Sequence, residues 1–182
     1  LLDDGTYHSL EAQSATGDML PPVITEAGVA YPADRAACLA RPPAATSRLA
    51  DVARVTASVM PQRAHPGEPV AITLAWYPLR PTAAAQTVFM QLVTPDGQIA
   101  AQADRPPLNG DYPTTLWQRP CPFDDTYTLA IPASLSPGSY TILFGLYDAA
   151  DPAYPRLGAT DPNGTPYPNA AVHAGTVEVL AP

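Results

Sequence analysis

Apolar and polar residues alternate along the chain from about residue 51 onward, with the period of two that is typical of strands with one buried face. The clearest segment is 70–76, whose apolar face consists of Val70, Ile72, Leu74 and Trp76. The segment 87–93 repeats the pattern, with an apolar face formed by Val88, Met90 and Leu92. Both segments are predicted to be strands whose apolar faces point into a common core.

Further strands are predicted between strong turn signals. Pro95-Asp96-Gly97 predicts a hairpin, because proline sets the first turn angle and glycine accepts a positive φ. The returning strand, 98–104, carries small residues and two glutamines, and is predicted to lie at a sheet edge. The other predicted strands are 55–59, 127–131, 140–147 and 172–180. About seven strands at this spacing predict an all-β fold, an immunoglobulin-like antiparallel β-sandwich.

Tyr140 opens one of these strands directly after the turn Leu135-Ser136-Pro137-Gly138-Ser139. In immunoglobulin-like sandwiches, a tyrosine near the start of a central strand donates its hydroxyl to the backbone a few residues upstream. We therefore expect the Tyr140 hydroxyl to bond back to this turn.

Residues 1–50 lack the alternation, and prolines interrupt their short apolar patches. A helical turn or two is conceivable at 33–40, but so short a helix is marginal without packing. We interpret residues 1–50 as an irregular N-terminal extension that packs on the sandwich and adds a strand to it. The sandwich itself is predicted to occupy residues 51–182.

Composition narrows the functional classes. The 24 prolines and 11 glycines disfavour long helices, whereas a hydrophobic content of 46% suffices for a core. The nine basic residues are all arginine and face 17 acidic residues, which gives a net charge of -8 and argues against nucleic acid as a partner. The apolar runs fall well short of the roughly 20 residues that a membrane helix needs, so no transmembrane segment is predicted in this chain.

An ordered series of motifs carries a resemblance to a known family. The motifs are Pro66-Gly67-Glu68-Pro69, 73–76, 87–92, Pro95-Asp96-Gly97, Gly110-Asp111-Tyr112-Pro113-Thr114, Trp117, 127–129, 135–140 and Gly145-Leu146-Tyr147-Asp148. In this order, over about residues 51–180, they resemble the soluble C-terminal domain of bacterial multi-pass membrane glycosyltransferase-like proteins of the protein-mannosyltransferase type.

The resemblance implies a non-catalytic accessory domain with a structural or recognition role. It would lie on the outer face of the cytoplasmic membrane, in the bacterial cell envelope, or be secreted. Its partners would be the membrane-embedded part of the parent protein and a glycan or lipid-linked sugar. No catalytic residue of that family maps onto this chain. The alternative is a free-standing carbohydrate-binding or adhesion module.

Cys38 and Cys121 are the only two cysteines in the sequence. In an extracytoplasmic domain, a disulfide between them would close a loop of about 80 residues and tie the extension to the sandwich. The alternative is a pair of unpaired, buried thiols. Two cysteines without a closely spaced histidine pair do not predict a metal site.

Four aromatic residues fall in the proline-rich connections rather than in predicted strands: Tyr112, Trp117, Tyr154 and Tyr167. Aromatic rings on exposed loops are suited to stacking against the apolar face of a sugar ring, so these four are the candidate ligand-binding residues. For Tyr112 and Trp117 the alternative is that they cap the end of the core.

No catalytic residues are assigned. The histidines His8, His65 and His173 are scattered, and no Ser-His-Asp order can be assembled. A glycoside hydrolase-like enzyme is the weakest alternative, because it would need two carboxylates brought to roughly 5 to 9.5 Å by folding. No cofactor is expected; calcium on the carboxylates of residues 148–163 is the alternative, although their spacing lacks the pattern of a calcium loop.

Overall fold

Two five-stranded sheets enclose the core of the protein in the computed structural model. The structure describes residues 23–25, 28–30, 43, 45–117 and 121–181. The strands are β1 (Val23–Thr25), β2 (Gly28–Ala30), β3 (Ser47–Leu49), β4 (Ala53–Met60), β5 (Arg63–Ala64), β6 (Pro69–Pro78), β7 (Thr87–Val93), β8 (Ile99–Gln102), β9 (Phe123–Ala130), β10 (Gly138–Tyr147), β11 (Ala159–Thr160) and β12 (Val172–Val179). Short 3₁₀ helices lie at Pro107–Gly110, Thr114–Leu116 and Pro168–Ala170.

The first sheet has the strand order β11-β3-β4-β6-β9, and the second has the order β5-β12-β10-β7-β8. Neighbouring strands are antiparallel except β5 and β12, which run parallel. β1 and β2 form a separate antiparallel pair. The predicted all-β sandwich is confirmed, with short additional strands that alternation alone did not reveal.

The predicted inward faces form the core. The apolar positions of β6 and β7 are fully buried: Val70, Ile72, Leu74, Trp76, Val88, Met90 and Leu92. Each such side chain stabilises the fold by about 1.5–3 kcal/mol relative to an exposed position. β8 lies at the edge of the second sheet, as its small and polar residues predicted.

Tyr140, near the start of β10, makes the expected hydrogen bond to the preceding turn. The Tyr140 hydroxyl donates a hydrogen bond of 2.7 Å to the carbonyl oxygen of Ser136, in the turn that precedes β10. This bond fixes the entry of the central strand of the second sheet, which pairs with β7 on one side and β12 on the other.

The sandwich begins slightly before the boundary expected near Ala50. β3 pairs with β4 through Ser47 and Val55, and with β11 through Leu49 and Ala159. The last residues of the segment 1–50 therefore supply a strand of the first sheet.

A buried ion pair joins the connection after β8 to β9. The Asp125 carboxylate is 2% exposed and accepts hydrogen bonds from Arg105 Nη2 at 2.7 Å and from the Leu108 backbone N–H at 3.0 Å. The Arg105 guanidinium lies 3.7 Å from the centroid of the Tyr127 ring. Burial raises the pKa of Tyr127, so its phenol stays neutral. We call Arg105 and Asp125 the buried ion pair.

After β10 the chain makes a long excursion, residues 148–171, before it enters β12. It first doubles back along β10, where the Leu157 N–H donates to the Leu146 carbonyl at 2.8 Å. It then reaches the first sheet, where β11 pairs with β3, and returns through the 3₁₀ helix at 168–170. The 148–171 excursion thus contacts both sheets.

Candidate functional site

The outer face of the second sheet carries side chains that are buried without belonging to the core. Alternation along β7 directs Phe89 and Gln91 away from the sandwich interior, yet they are only 2% and 8% exposed. They are covered because the 148–171 excursion lies against this face, with Arg156 over the Phe89 ring.

A cleft of about 250 Å³ opens between this face and the excursion. We call it the outer-face cleft; its lining residues are Phe89, Gln91, Asp104, Tyr147, Tyr154 and Arg156. A second cavity of about 400 Å³ adjoins it and shares Gln91 and Arg156 with it. This adjoining cavity is also lined by Tyr167, Asn169 and His173. Both cavities are lined by aromatic and polar groups, a combination that is common in small-molecule sites.

Gly145 allows the floor of the cleft to form. It is paired with Phe89 across β10 and β7. A Cβ atom at position 145 would lie 2.6 Å from two carbons of the Phe89 ring and 2.8 Å from the Ala170 carbonyl oxygen. Both distances are shorter than van der Waals contact, so the absence of a side chain lets the ring and the excursion approach the sheet.

Arg156 is held over this floor. Its Cζ atom lies 4.0 Å from the centroid of the Phe89 ring, which is cation–π geometry. Its Nη1 donates a hydrogen bond of 3.0 Å to the Asn169 carbonyl oxygen. Within the described ranges it forms no salt bridge with a carboxylate. Arg156 is an exposed residue whose guanidinium is oriented by these two contacts and keeps N–H groups available to a ligand.

Two tyrosines form the aromatic wall. The ring centroids of Tyr147 and Tyr154 are 6.1 Å apart with an interplanar angle of 70°. Tyr154 is 60% exposed and has a φ of 47°, a left-handed conformation that costs a residue other than glycine about 1–2 kcal/mol. Backbone strain of this kind clusters at ligand sites, where the surrounding structure maintains it.

Two polar groups of the cleft, the Tyr147 phenol and the Asp104 carboxylate, are joined by a hydrogen bond. The Tyr147 hydroxyl donates a hydrogen bond of 3.3 Å to Asp104 Oδ2. Burial, and then the negative charge of Asp104, raise the pKa of Tyr147 above its usual value of 10, so the phenol remains protonated at neutral pH. Asp104 presents acceptor oxygens to the cleft beside this donor.

Gln91 lies where the two cavities meet, and its side-chain amide has no hydrogen-bond partner among the described residues. An amide offers two N–H donors and one carbonyl acceptor. The residue as a whole is only 8% exposed, but its amide atoms keep access to the solvent of the cleft and are not among the buried polar atoms that lack a partner. The amide therefore presents hydrogen-bonding groups to a polar ligand that enters the cleft.

The structure divides the four candidate aromatic residues. Tyr112 and Trp117 are 4% and 0% exposed in the core, where the Trp117 indole packs on Trp76 at 5.1 Å between centroids. Neither offers a face to a ligand, so the core alternative applies to both. Tyr154 lines the outer-face cleft, and Tyr167 lines the adjoining cavity.

Five residues of the outer-face cleft were not identified from the sequence: Phe89, Gln91, Asp104, Tyr147 and Arg156. The sequence did contain one signal of this site. Phe89 and Gln91 occupy outward positions of β7, and Gly145 lies opposite Phe89 in the paired strand β10. Their burial depends on a segment about 60 residues later in the chain, which periodicity does not report.

Cys121 is disulfide-bonded. Cys38 lies outside the described residues, so the pairing of these two cysteines stays a prediction.

The carboxylates of the excursion stabilise its turns. The Oδ1 atoms of Asp148, Asp151 and Asp161 each accept a hydrogen bond of 2.8–2.9 Å from the backbone N–H two residues later. These are Asx turns, which account for the carboxylates without a cation. Within the described ranges, no three His, Cys, Asp or Glu side chains converge as metal ligands would.

The histidines are not brought together among the residues that the structure describes. His65 Nδ1 lies 2.9 Å from the Ala181 carbonyl oxygen, His173 lines the adjoining cavity, and His8 falls outside the described ranges. In the described part of the chain, no helix has the length and apolar character needed to cross a bilayer.

The comparisons with known proteins assign no family to the chain. No family model and no curated protein sequence matches the chain. Among solved structures, the chain is similar to the sporulation control protein Spo0M from Bacillus subtilis, at 14% identity and a TM-score of 0.40, with 71% of this chain and 50% of that chain covered. This chain thus spans about half the length of that structure.

Proposed function

We propose that this chain is a non-catalytic extracytoplasmic recognition domain that binds a saccharide in the outer-face cleft. The observation that carries the proposal is the composition of the cleft, in which the exposed ring of Tyr154 lies beside the polar groups of Gln91 and Asp104. A sugar has an apolar ring face, which can pack on the aromatic wall of the cleft. It also has hydroxyls, which can bond to the polar groups of the cleft.

The geometry supports a division of roles within the cleft. The exposed ring of Tyr154 offers a stacking surface, while Gln91 and Asp104 offer hydrogen-bonding groups to hydroxyls. The neutral Tyr147 phenol orients the Asp104 carboxylate through its hydrogen bond. Gln91 and Tyr147 belong to strands, Asp104 follows shortly after β8, and Tyr154 lies in the excursion, so the site is largely preformed.

The carboxylate content of the cleft favours binding over hydrolysis. Asp104 is the one acidic residue among the described residues that line it. A glycoside hydrolase uses a pair of carboxylates at roughly 5 to 9.5 Å. A single carboxylate suits hydrogen bonding to a bound sugar better than acid–base chemistry.

The proposal includes the setting that the motif order implies, an accessory domain of a membrane glycosyltransferase-like protein. There the cleft would hold the acceptor glycan or lipid-linked sugar near the membrane-embedded part of the parent. A free-standing carbohydrate-binding or adhesion module would use the same cleft. An antibody raised against the domain would distinguish a surface location from a cytoplasmic one by its access to intact source cells.

The direct test is a glycan-array screen of the purified domain, with Tyr154→Ala as the site variant. We expect specific binding by the unmodified domain and about a fivefold or greater loss in Tyr154→Ala, because a stacked aromatic contact is worth on the order of 1 kcal/mol or more.

Tyr77→Ala is the matched control, since Tyr77 is a partly exposed tyrosine on β6 of the other sheet. This variant should bind as the unmodified domain does. A folded domain that binds no glycan, or whose binding survives Tyr154→Ala, would contradict the proposed function.

A further inference from the structure

We infer that the saccharide carries an oxyanion, which binds where the outer-face cleft meets the adjoining cavity, against Arg156 and Gln91. This inference rests on the proposed function, because it names the class of sugar that the same site takes. The oxyanion is the carboxylate of a sugar acid or the phosphate of a glycosyl phosphate.

Arg156 is the first support. Its guanidinium is positioned by the Phe89 ring and by the Asn169 carbonyl, and no described carboxylate neutralises it. The three ion pairs among the described residues involve Arg63, Arg80 and Arg105, so the charge of Arg156 is available to an anionic ligand. A planar guanidinium with free N–H groups matches the two oxygens of a carboxylate or phosphate.

The adjoining cavity is the second support. None of the described residues that line it is acidic, and it contains Arg156 and His173 beside the Gln91 amide and Tyr167. An anion entering there meets N–H donors without meeting a carboxylate. Asp104, the acidic group of the outer-face cleft, does not line this cavity.

The two cavities thus predict how the ligand is oriented. The sugar ring lies in the outer-face cleft, with its apolar face on Tyr154 and hydroxyls toward Asp104. Its charged group reaches past Gln91 into the adjoining cavity and contacts Arg156. The net charge of -8 opposes an anion at long range, but salt screens this repulsion beyond roughly 8 Å at physiological ionic strength. The local guanidinium contact then decides the preference.

The test compares ligand pairs that differ in charge alone or nearly so. One pair is a short oligogalacturonate and its methyl ester; the other is galactose 1-phosphate and methyl galactoside. Calorimetric titration of the folded domain should give at least about tenfold tighter binding for the charged member of one pair, as expected for a charge-assisted hydrogen bond. The pair that shows the difference identifies the source of the oxyanion.

Variants locate the contact. Arg156→Gln removes the charge and should abolish the preference for the charged member, while Arg156→Lys should restore part of it. Arg48→Gln is the matched control, because Arg48 is exposed, lies on the other sheet and likewise donates to one backbone carbonyl. Its titration should be indistinguishable from that of the unmodified domain.

The outcomes separate this inference from the proposed function. Equal binding of the charged and neutral members, with Tyr154 dependence retained, would overturn the oxyanion assignment and leave saccharide binding in place. A charge preference that survives Arg156→Gln would overturn the assigned contact. Failure of every saccharide, on the array and in solution, would overturn both.

Discussion

Gly145 sets the depth of the outer-face cleft at the residue scale. It faces Phe89 across two central strands, and the ring occupies the space that any side chain at position 145 would need. The position of the Phe89 ring, and of Arg156 above it, therefore depends on the absence of a Cβ atom at position 145.

We expect Gly145→Ala to lower the free energy of unfolding by about 1–3 kcal/mol, because the added carbon overlaps the Phe89 ring and the Ala170 carbonyl. Urea denaturation measures this change. Gly158→Ala is the control, since a Cβ there meets nothing within 4 Å, and it should be neutral or slightly stabilising. Equal stability of the two variants would show that the floor is not closely packed.

We expect the variant Gln91→Leu to lower saccharide affinity without lowering the stability of the fold. In Gln91→Leu the amide is replaced by an apolar group of similar size, and no described hydrogen bond is lost, so the free energy of unfolding should change by less than about 1 kcal/mol. Saccharide affinity should fall by about tenfold or more, because the ligand loses its hydrogen bonds at the floor.

Gln102→Leu provides the comparison, because Gln102 is paired with Gln91 across β7 and β8 but is exposed and does not line the cleft. It should retain affinity. A Gln91→Leu domain that is clearly destabilised would indicate a structural role for the amide, contrary to our assignment.

At the scale of elements, the buried ion pair fastens the connection after β8 to the first sheet. Arg105 is paired with Val88 of β7 through a backbone bridge, and its guanidinium reaches Asp125 of β9. One side chain thus links strands of the two sheets.

Asp125→Ala should destabilise the protein by about 3 kcal/mol, because the Arg105 guanidinium would stay packed over Tyr127 without a counter-charge. Thermal and urea denaturation measure this loss. Asp124→Ala, at the exposed neighbouring position, should have little effect. The double variant Arg105→Met with Asp125→Leu should recover much of the lost stability, and failure of that recovery would contradict an electrostatic cause.

Element length explains which strands were predicted. β6, β7, β9, β10 and β12 each have at least seven residues, enough for alternation to show which face is buried. β3, β5 and β11 have two or three residues, which carry no usable period, and their pairing depends on distant partners. The corner at Tyr140 was predictable because turn and tyrosine are adjacent in the sequence.

At the scale of the whole molecule, the two cysteines offer a test of how the N-terminal extension is attached. Pairing of Cys38 with Cys121 would close a loop of about 80 residues, and reduction should then lower the free energy of unfolding by about 4 kcal/mol. Denaturation with and without reductant measures the change, and non-reducing peptide mapping identifies the pair. The variant with serine at both positions should be insensitive to reductant; native protein that reacts fully with a thiol reagent would contradict the bridge.

The candidate site was only partly predictable because it is assembled from distant segments. Tyr154 and Tyr167 could be selected from the sequence, since aromatic residues in proline-rich connections are suited to ligand contact. Tyr112 and Trp117 satisfied the same criterion, and only tertiary packing against Trp76 and Phe123 distinguishes them. Gln91 became a candidate only when the structure placed it in a cleft between the second sheet and the 148–171 excursion.

The attachment of the 148–171 excursion has a mechanical consequence. Its strand β11 is held at the sheet edge by β3, the three-residue strand through which the chain enters the sandwich, and the Tyr167 hydroxyl lies 3.0 Å from Ser47 Oγ. Once the predicted Cys38–Cys121 bridge is reduced, tension applied on the N-terminal side of Ser47 would act on β3 first, and this strand of three residues would separate before the longer strands do. The 148–171 excursion, which covers the cleft, would then lose its attachment to β3 while the second sheet stayed intact. Ligand binding at this face would therefore be sensitive to force applied along the chain.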